Sequence, residues 1–223
     1  MQHVHEMLYE NRQHAGRILG RLVAALPDLT GGIVLGLVRG GVPVAYEVAR
    51  ACNLPLDIMA VRKMRAPGQP ELAMGAIASG GGFALNQDVL LQGHIAEQQL
   101  EQVIEHERRE MARQEAELRG GRRAPELAGR TVILVDDGLA TGASMRAAVR
   151  AVRGNARRVI VAVPVGASST CEEFAAEVDH MVCPLRPEWM VAVSQFYTDF
   201  GETTNEDVRR LLDEASQPPQ PTE

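Results

Sequence analysis

The stretch from Val132 to Ser144, VILVDDGLATGAS, constrains the fold of this chain more than any other feature. Four apolar residues run without interruption into two adjacent acids. A glycine-containing loop with hydroxyl side chains follows, and then an Ala- and Arg-rich segment. An apolar run without alternation is typical of a strand that is buried on both faces, as in a parallel sheet. The stretch therefore predicts a central strand, a polar loop at its carboxyl end and a helix after the loop.

Strand-like and helix-like segments alternate along the whole chain, which predicts a three-layer α/β domain with a parallel sheet. The predicted strands are 33–38, 57–61, 131–135, 159–163 and 180–183, and the predicted helices are 9–26, 42–52, 94–119, 144–153, 169–177 and 205–215. Parallel sheets bind ligands at the carboxyl ends of their strands. Three predicted strands end in polar or glycine-rich sequence, at Arg39-Gly40-Gly41, Arg62-Lys63 and Asp136-Asp137. The coincidence predicts a single site at that edge.

Residues 1–215 are predicted to form one domain. Within it, residues 64–88 hold three successive glycines between two short apolar runs, which predicts a two-stranded flap. A glycine-rich segment of this length is often a lid, although a surface hairpin without a role fits equally well. Residues 94–119 form a charged helix that is predicted to be solvated or to face a partner. The proline-rich end, 216–223, is predicted to be disordered.

Composition excludes several classes of function. The net charge of −6 and the pI of about 5.6 argue against sequence-independent nucleic-acid binding, which relies on a basic surface. No apolar run approaches the ~20 residues that a membrane-spanning helix needs. The three cysteines are widely spaced and show no metal-binding pattern. Together with the polar first residues, they predict a cytoplasmic protein.

The loop after the central strand is suited to a phosphate monoester. Backbone N–H groups at the start of a helix converge on an anion, and the hydroxyls of Thr141 and Ser144 add donors. Gly142 lets the backbone approach the ligand closely. Asp136 and Asp137, called the acid pair below, cannot bind a phosphate and would repel each other if buried without partners. A ribose diol with magnesium nearby is their natural ligand; a strand end with a helix-capping acid is the alternative.

Three other phosphate-binding patterns do not fit. A nucleotide-triphosphate P-loop needs a lysine after its last glycine, and Ala143 follows Gly142. A dinucleotide fingerprint needs GxGxxG after the first strand, and the glycines at 36, 40 and 41 are spaced differently. An aspartyl-phosphate phosphatase has two acids separated by one residue, whereas this acid pair is contiguous.

The stretch VILVDDGLATGAS resembles the phosphoribosyl pyrophosphate (PRPP) motif of type I phosphoribosyltransferases. Leu37–Gly41 resembles the pyrophosphate loop of that family, and residues 64–88 lie where the family has its flexible catalytic loop. Residues 184–204, called the hood below, lie where many members cover the base. The segments Pro67–Ala78 and Tyr9–Gly16 resemble a subgroup whose acceptor is not settled. The resemblance implies the type I fold, with a flexible flap and a small C-terminal hood.

The resemblance also implies a role for each matching residue. The acid pair would hold the ribose hydroxyls and approach Mg²⁺ through them or through water, and with Arg39 and Lys63 it forms the predicted catalytic set. The implied 5′-phosphate ligands are Leu139, Ala140, Thr141, Gly142, Ala143 and Ser144. The implied pyrophosphate ligands are Arg39, Gly40, Gly41, Arg62 and Lys63. The candidate base contacts are Val165, Trp189, Tyr197 and Asp199, for which packing alone is an equal alternative.

Lys63 is the only lysine among the 23 basic residues. Its place at a predicted strand end favours a functional role over the alternative, which is a surface lysine retained by chance. Residues 164–166, Pro-Val-Gly, hold no lysine where purine-salvage members tend to have one, which argues against a 6-oxopurine acceptor.

Three functions are consistent with these observations. The first is a magnesium-dependent phosphoribosyltransferase of the purine or pyrimidine salvage type, acting on PRPP and an unidentified base, and dimeric as is usual in the family. The second is a non-catalytic regulatory protein that senses PRPP or a nucleotide on the same fold. The third is a protein that binds another sugar phosphate.

Overall fold

The computed structural model describes residues 8–93 and 95–217. The strands are β1 (Ile33–Leu37), β2 (Leu56–Met59), β3 (Val61–Ala66), β4 (Gln69–Ala78), β5 (Phe83–Leu85), β6 (Thr131–Val135), β7 (Arg158–Ala162) and β8 (His180–Val182). The helices are α1 (Arg12–Ala24), α2 (Gly41–Cys52), α3 (Gln87–Gln92), α4 (Glu97–Arg119), α5 (Ala143–Arg153), α6 (Ser168–Glu177) and α7 (Asn205–Ser216), with a short 3-10 helix at Val193–Phe196.

Five parallel strands form the central sheet in the order β2-β1-β6-β7-β8. From β1 the chain continues to β2 at one edge of the sheet. From β6 it continues to β7 and β8 at the other edge. The carboxyl ends of β1 and β6 therefore lie side by side at the point where the direction of winding reverses, which is where open parallel sheets bind ligands. The predicted parallel α/β sheet is confirmed.

Alternate residues of β6 face opposite layers of helices, because side chains alternate along a strand. Ile133 and Val135 pack with apolar side chains of α1 and α2, whereas Val132 and Leu134 pack with those of α5 and α6. All five residues of β6 are buried. This is why the apolar run shows no alternation in the sequence, and it confirms the three-layer arrangement.

The predicted strand 57–61 is wrong at its end, because the observed strand stops at Met59. The flap contains three strands, whereas the sequence predicted two. The parallel strand β2 ends at Met59, and the chain turns at Ala60, whose N–H donates to Oγ of Ser79 at 2.8 Å. The antiparallel sheet β3-β4-β5 begins at Val61, so the flap, as the name is used below, starts at Val61 rather than at residue 64. One continuous apolar run crosses this turn, so the sequence gives no signal that two strands from different sheets meet there.

The flap sheet is packed between two helices. On one side, Arg150 of α5 donates through Nη1 to the carbonyl oxygen of Phe83 at 3.0 Å. On the other side, α4 contributes Met111 and several half-buried apolar side chains to a cluster with Met64, Met74 and Ile77 of the flap. The long helix predicted at 94–119 thus begins at Glu97, covers the flap and leaves its charged face exposed.

The other predicted boundaries agree with the structure within two residues, apart from the first helix. That helix begins at Arg12 rather than residue 9, because Asn11 caps it by accepting from the N–H of His14 at 2.9 Å. Of the predicted tail 216–223, only Ser216 and Gln217 lie within the described residues, and Ser216 ends α7. Within the part of the chain that the structure describes, no helix is long and apolar enough to span a membrane.

Candidate active site

The loops after β1 and β6 touch each other at the carboxyl edge of the sheet. A Cβ atom added to Gly40 would overlap Oδ2 of Asp137, and one added to Gly41 would lie 2.7 Å from the carbonyl oxygen of Val135. Only glycine permits this approach. The predicted pyrophosphate loop and the acid pair therefore form one site, although nearly a hundred residues separate them in the sequence.

Each carboxylate of the acid pair has one oxygen engaged and one free. Oδ1 of Asp136 accepts the N–H of Asp137 at 2.9 Å, and Oδ2 of Asp137 accepts from Nε of Arg12 at 2.8 Å. No donor among the described residues is paired with the other oxygen of either side chain. Because no side-chain oxygen in that part of the chain is both fully buried and unpaired, these two oxygens keep some contact with solvent. The pair is arranged to accept hydrogen bonds from two adjacent hydroxyls.

The charge of the acid pair is balanced by cations that come from distant parts of the chain. Burial raises the pKa of Asp136 well above its ordinary value, and the neighbouring Asp137 raises it further, while Arg12 and Lys63 oppose this shift. Burial also raises the pKa of Asp137, and the ion pair with Arg12 counteracts it. A ligand that donates hydrogen bonds or brings a cation therefore favours the ionised pair.

The phosphate loop, Leu139–Ser144, has free backbone donors at its helical end. The N–H groups of residues 141–144, at and just before the start of α5, donate to no acceptor among the described residues. Gly142 has a φ of +74°, and a Cβ there would lie 2.7 Å from the ring of Phe174. Gly142 thus turns the chain into the helix in a conformation that other residues rarely adopt.

The first part of the phosphate loop is held by the protein itself. The N–H of Leu139 donates to the carbonyl oxygen of Val165 at 2.8 Å, and the Leu139 carbonyl accepts from Ala167 at 3.0 Å. Oγ1 of Thr170 donates to the carbonyl oxygen of Ala140 at 2.9 Å. Leu139 and Ala140 therefore shape the loop, and the free donors begin at Thr141.

The structure separates the three basic residues that the sequence placed together. Lys63 is exposed on β3, has no ion-pair partner among the described residues and stabilises the charge of Asp136. Arg62 lies on the opposite face of β3 and donates through Nε to Glu107 of α4 at 2.5 Å. Arg39 follows β1 across a cis peptide bond and donates through Nη2 to Glu202 of the hood at 2.7 Å. Lys63 thus favours the ionised form of Asp136, whereas Arg62 joins the flap to α4.

The four candidate base contacts do not form one pocket. Tyr197 is buried and donates through its hydroxyl to the backbone oxygen of Asp137 at 2.6 Å, and Val165 is fully buried behind the phosphate loop. Asp199 is exposed and accepts the N–H of Gly201 at 3.0 Å. Trp189 is 89 % exposed. Of these residues, Tyr197 alone contacts the acid pair.

Arg12 contacts the acid pair, although its sequence position did not indicate this. Besides its ion pair with Asp137, Arg12 donates through Nη1 to the carbonyl oxygen of Gly201 at 2.6 Å. Its guanidinium carbon lies 3.8 Å from the ring centroid of Phe200. Arg12 lies in the segment Tyr9–Gly16, which resembles a subgroup of the family. Nothing in that segment shows which acid the arginine contacts.

Magnesium prefers oxygen ligands and keeps several waters or substrate oxygens in its shell. The two free carboxylate oxygens suit such an ion when a ligand supplies the rest. Within the described ranges, no group of three or more His, Cys, Asp or Glu side chains is arranged to hold a metal ion alone.

Comparison with known proteins agrees with this geometry. The family model for the phosphoribosyl transferase domain matches residues 5–200. The chain belongs to this family. It is 41 % identical over 209 residues to provisionally named phosphoribosyl transferases from two strains of Mycobacterium tuberculosis. The alignment covers 93 % of this chain and 47 % of each relative, so the chain spans about half the length of these relatives.

A solved structure has a similar fold. The crystal structure of TT1426 from Thermus thermophilus is 41 % identical to this chain, with a TM-score of 0.78. The match covers 95 % of this chain and 100 % of that one.

Proposed function

We propose that the protein is a magnesium-dependent phosphoribosyltransferase that transfers a 5-phosphoribosyl group between PRPP and a nitrogenous base, as in purine or pyrimidine salvage. One observation carries the proposal: among the described residues, two carboxylate oxygens of the acid pair and the N–H groups of residues 141–144 have no hydrogen-bond partner, and Lys63 opposes the rise in the pKa of Asp136. A diol, a phosphate monoester and a diphosphate are the groups that such a site is suited to bind. PRPP carries all three.

Each part of PRPP has a counterpart in the site. The free oxygens of Asp136 and Asp137 accept hydrogen bonds from the ribose hydroxyls. The N–H groups of residues 141–144 and the dipole of α5 bind the 5′-phosphate. Lys63 and Arg39 face the diphosphate, and Arg39 exchanges the exposed carboxylate of Glu202 for it. Exposed ion pairs of this kind contribute about 0–1 kcal/mol, so the exchange costs little.

The reaction develops opposite charges on its two parts. When the bond between C1′ and the diphosphate oxygen breaks, positive charge builds on the ribose and negative charge on the leaving diphosphate. The acid pair lies beside the ribose, and Lys63 supplies a fixed positive charge for the diphosphate. Magnesium, when bound, adds positive charge on the leaving group. The flap lies against α5 next to the phosphate loop, where it excludes water from the reacting carbon.

Calorimetry with PRPP and magnesium tests the binding half of the proposal. We expect Asp136→Asn and Asp137→Asn each to weaken binding about 10-fold or more, because a hydrogen bond to a charged group contributes roughly 1.5–3 kcal/mol. Asp28→Asn is the matched control, because Asp28 is an exposed loop residue paired only at 3.7 Å with Arg157. Equal affinity of all four proteins for PRPP would remove the basis of the proposal.

Consumption of labelled PRPP with a panel of purine and pyrimidine bases tests the catalytic half. We expect release of diphosphate with at least one base, and loss of that release in Lys63→Met. Tight PRPP binding without turnover on the whole panel would support the non-catalytic sensing protein instead. Binding of other sugar phosphates with no preference for PRPP would support the third candidate.

A further inference from the structure

We propose that Arg12 is a positioning residue, which fixes the carboxylate of Asp137 for the ribose hydroxyls and ties the acid pair to the hood. The inference rests on the proposed function, since it concerns the same site. Arg12 is the first residue of α1 and lies 125 positions before Asp137 in the chain. It touches the acid that would contact the ligand, and it acts through that acid.

Three contacts hold the Arg12 side chain in one orientation. Nε donates to Asp137, Nη1 donates to the carbonyl oxygen of Gly201, and the guanidinium plane lies over the ring of Phe200 at 3.8 Å. The side chains of Arg12 and Asp137 are only 11 % and 15 % exposed. A guanidinium that is stacked and hydrogen-bonded at both ends is a rigid donor, unlike an exposed arginine that samples many rotamers.

A rigid donor determines where the second oxygen of its carboxylate points. Arg12 engages Oδ2 of Asp137, so Oδ1 is the oxygen that remains for a ligand. The neighbouring Asp136 is held differently, because its partner is the backbone N–H of Asp137. Asp136 therefore keeps its orientation as long as the loop is folded, whereas Asp137 depends on a side chain from α1.

The same three contacts join the site to the hood. Phe200 and Gly201 belong to the hood and are held beside Arg12, and Tyr197 of the hood donates to the backbone oxygen of Asp137. Asp137 is thus fixed on its side chain by Arg12 and on its backbone by Tyr197. Removing Arg12 frees the side chain of Asp137 and also removes the contacts that hold Phe200 and Gly201.

Calorimetry with ribose 5-phosphate, and with PRPP plus magnesium, tests the inference. The variants are Arg12→Gln, Arg12→Lys, Asp137→Asn, the double variant Arg12→Gln/Asp137→Asn, and Arg17→Gln. Arg17 lies on the same helix, is 53 % exposed on its side chain and approaches Glu47 only at 3.8 Å, which makes it the matched control. The melting temperature of every variant is measured beside its affinity.

We expect Arg12→Gln to weaken both ligands about 10-fold, the usual order for loss of a group that orients a ligating side chain. Arg12→Lys keeps the charge but not the stacked plane, so its loss is smaller than that of Arg12→Gln. Arg17→Gln binds as the wild type does. The double variant loses less affinity than the product of the two single losses, because the part of the effect of Arg12 that acts through the carboxylate disappears once the carboxylate is gone.

Two results would overturn the inference while leaving the proposed function intact: wild-type affinity in Arg12→Gln, or a loss in the double variant that equals the product of the two single losses. The second result means that Arg12 acts independently of Asp137. If Arg12→Gln does not fold, unchanged affinity in a folded Arg12→Lys overturns the inference in the same way. If the wild type binds neither ligand, the proposed function fails, and the inference fails with it.

Discussion

At the scale of single residues, Gly40 is the position where the smallest change should have the largest effect on the site. Its φ of −60° is accessible to any residue, so alanine brings no backbone strain. A Cβ there overlaps Oδ2 of Asp137, and that carboxylate must move. We expect Gly40→Ala to weaken PRPP binding about 10-fold with little change in folding, because orienting groups contribute on that order. Calorimetry and thermal unfolding measure the two effects.

The control for that change is Gly154→Ala. Gly154 ends α5 with a φ of −72°, and a Cβ there meets nothing within 4 Å. It should leave both affinity and stability near those of the wild type. If Gly40→Ala matches Gly154→Ala in PRPP affinity, the contact between the pyrophosphate loop and the acid pair has no part in binding.

Residue types in a local pattern could be predicted, and their distant partners could not. The contiguous acid pair and the glycine of the phosphate loop follow from neighbouring residues, so the sequence indicated them directly. The partner of Asp137 is Arg12, and the partner of Arg39 is Glu202, 163 positions away. Nothing in the spacing of charged residues shows which of 23 basic side chains meets which of 29 acids.

At the scale of elements, the end of α4 is fixed to the central sheet by a buried arginine. Arg119 is 8 % exposed, ion-paired with Asp57 of β2 and Glu115, and bonded to the carbonyl oxygen of Ile58. We expect Arg119→Met to lower the free energy of unfolding by about 3 kcal/mol, since it leaves two partly buried carboxylates without their cation. Arg109→Met, on the exposed face of α4, should cost less than about 1 kcal/mol.

The loss in the free energy of unfolding that Arg119→Met causes should depend on pH in a definite direction; this loss is called the deficit below. Burial raises the pKa of Asp57 in the folded protein, and Arg119 opposes that rise. Without the arginine, the folded pKa rises further above the unfolded one, so the folded state takes up the proton first as the pH falls. The deficit is therefore largest at neutral pH and shrinks as the pH falls through the folded pKa. Urea unfolding at pH 7 and pH 5 measures it; an equal deficit at both would contradict this account.

The flap shows how tertiary contacts set the boundaries of an element. Gly82 lies against α5, where a Cβ would overlap the backbone of Ala147 and Ala151. We expect Gly82→Ala to lower the free energy of unfolding by roughly 1–3 kcal/mol, the usual range for overpacking, and to increase proteolytic cleavage of the β4–β5 turn. Wild-type stability and cleavage would show that this turn does not depend on its contact with α5.

Some strand boundaries could be predicted from the sequence, whereas others and the contact between α4 and the flap could not. Strands of the central sheet could be placed within two residues where apolar runs end in polar sequence, as at β6. The junction of β2 and β3 could not, because the apolar run continues through the turn at Ala60 while the chain passes from one sheet to another. Helix α4 has few apolar positions, so its contact with the flap could not be inferred before the flap's own sheet was known.

The candidate site joins segments from both ends of the domain and from both halves of the central sheet. The acid pair on the β6–α5 loop meets the β1–α2 loop, helix α1 and the hood, and Lys63 comes from the flap. A ligand that contacts all these parts stabilises the folded state only, since the site does not exist in the unfolded chain. Binding therefore shifts the unfolding equilibrium by mass action.

This gives a test that needs no acceptor base. With PRPP and magnesium at about 100 times the dissociation constant, the free energy of unfolding should rise by about 2.7 kcal/mol. For a chain of this length, that is a rise in melting temperature of about 5–10 °C. Asp136→Asn/Asp137→Asn should show little of this rise, because it lacks both carboxylates that would hold the diol. A rise of equal size in both proteins, measured by differential scanning calorimetry, would mean that PRPP is held without the acid pair.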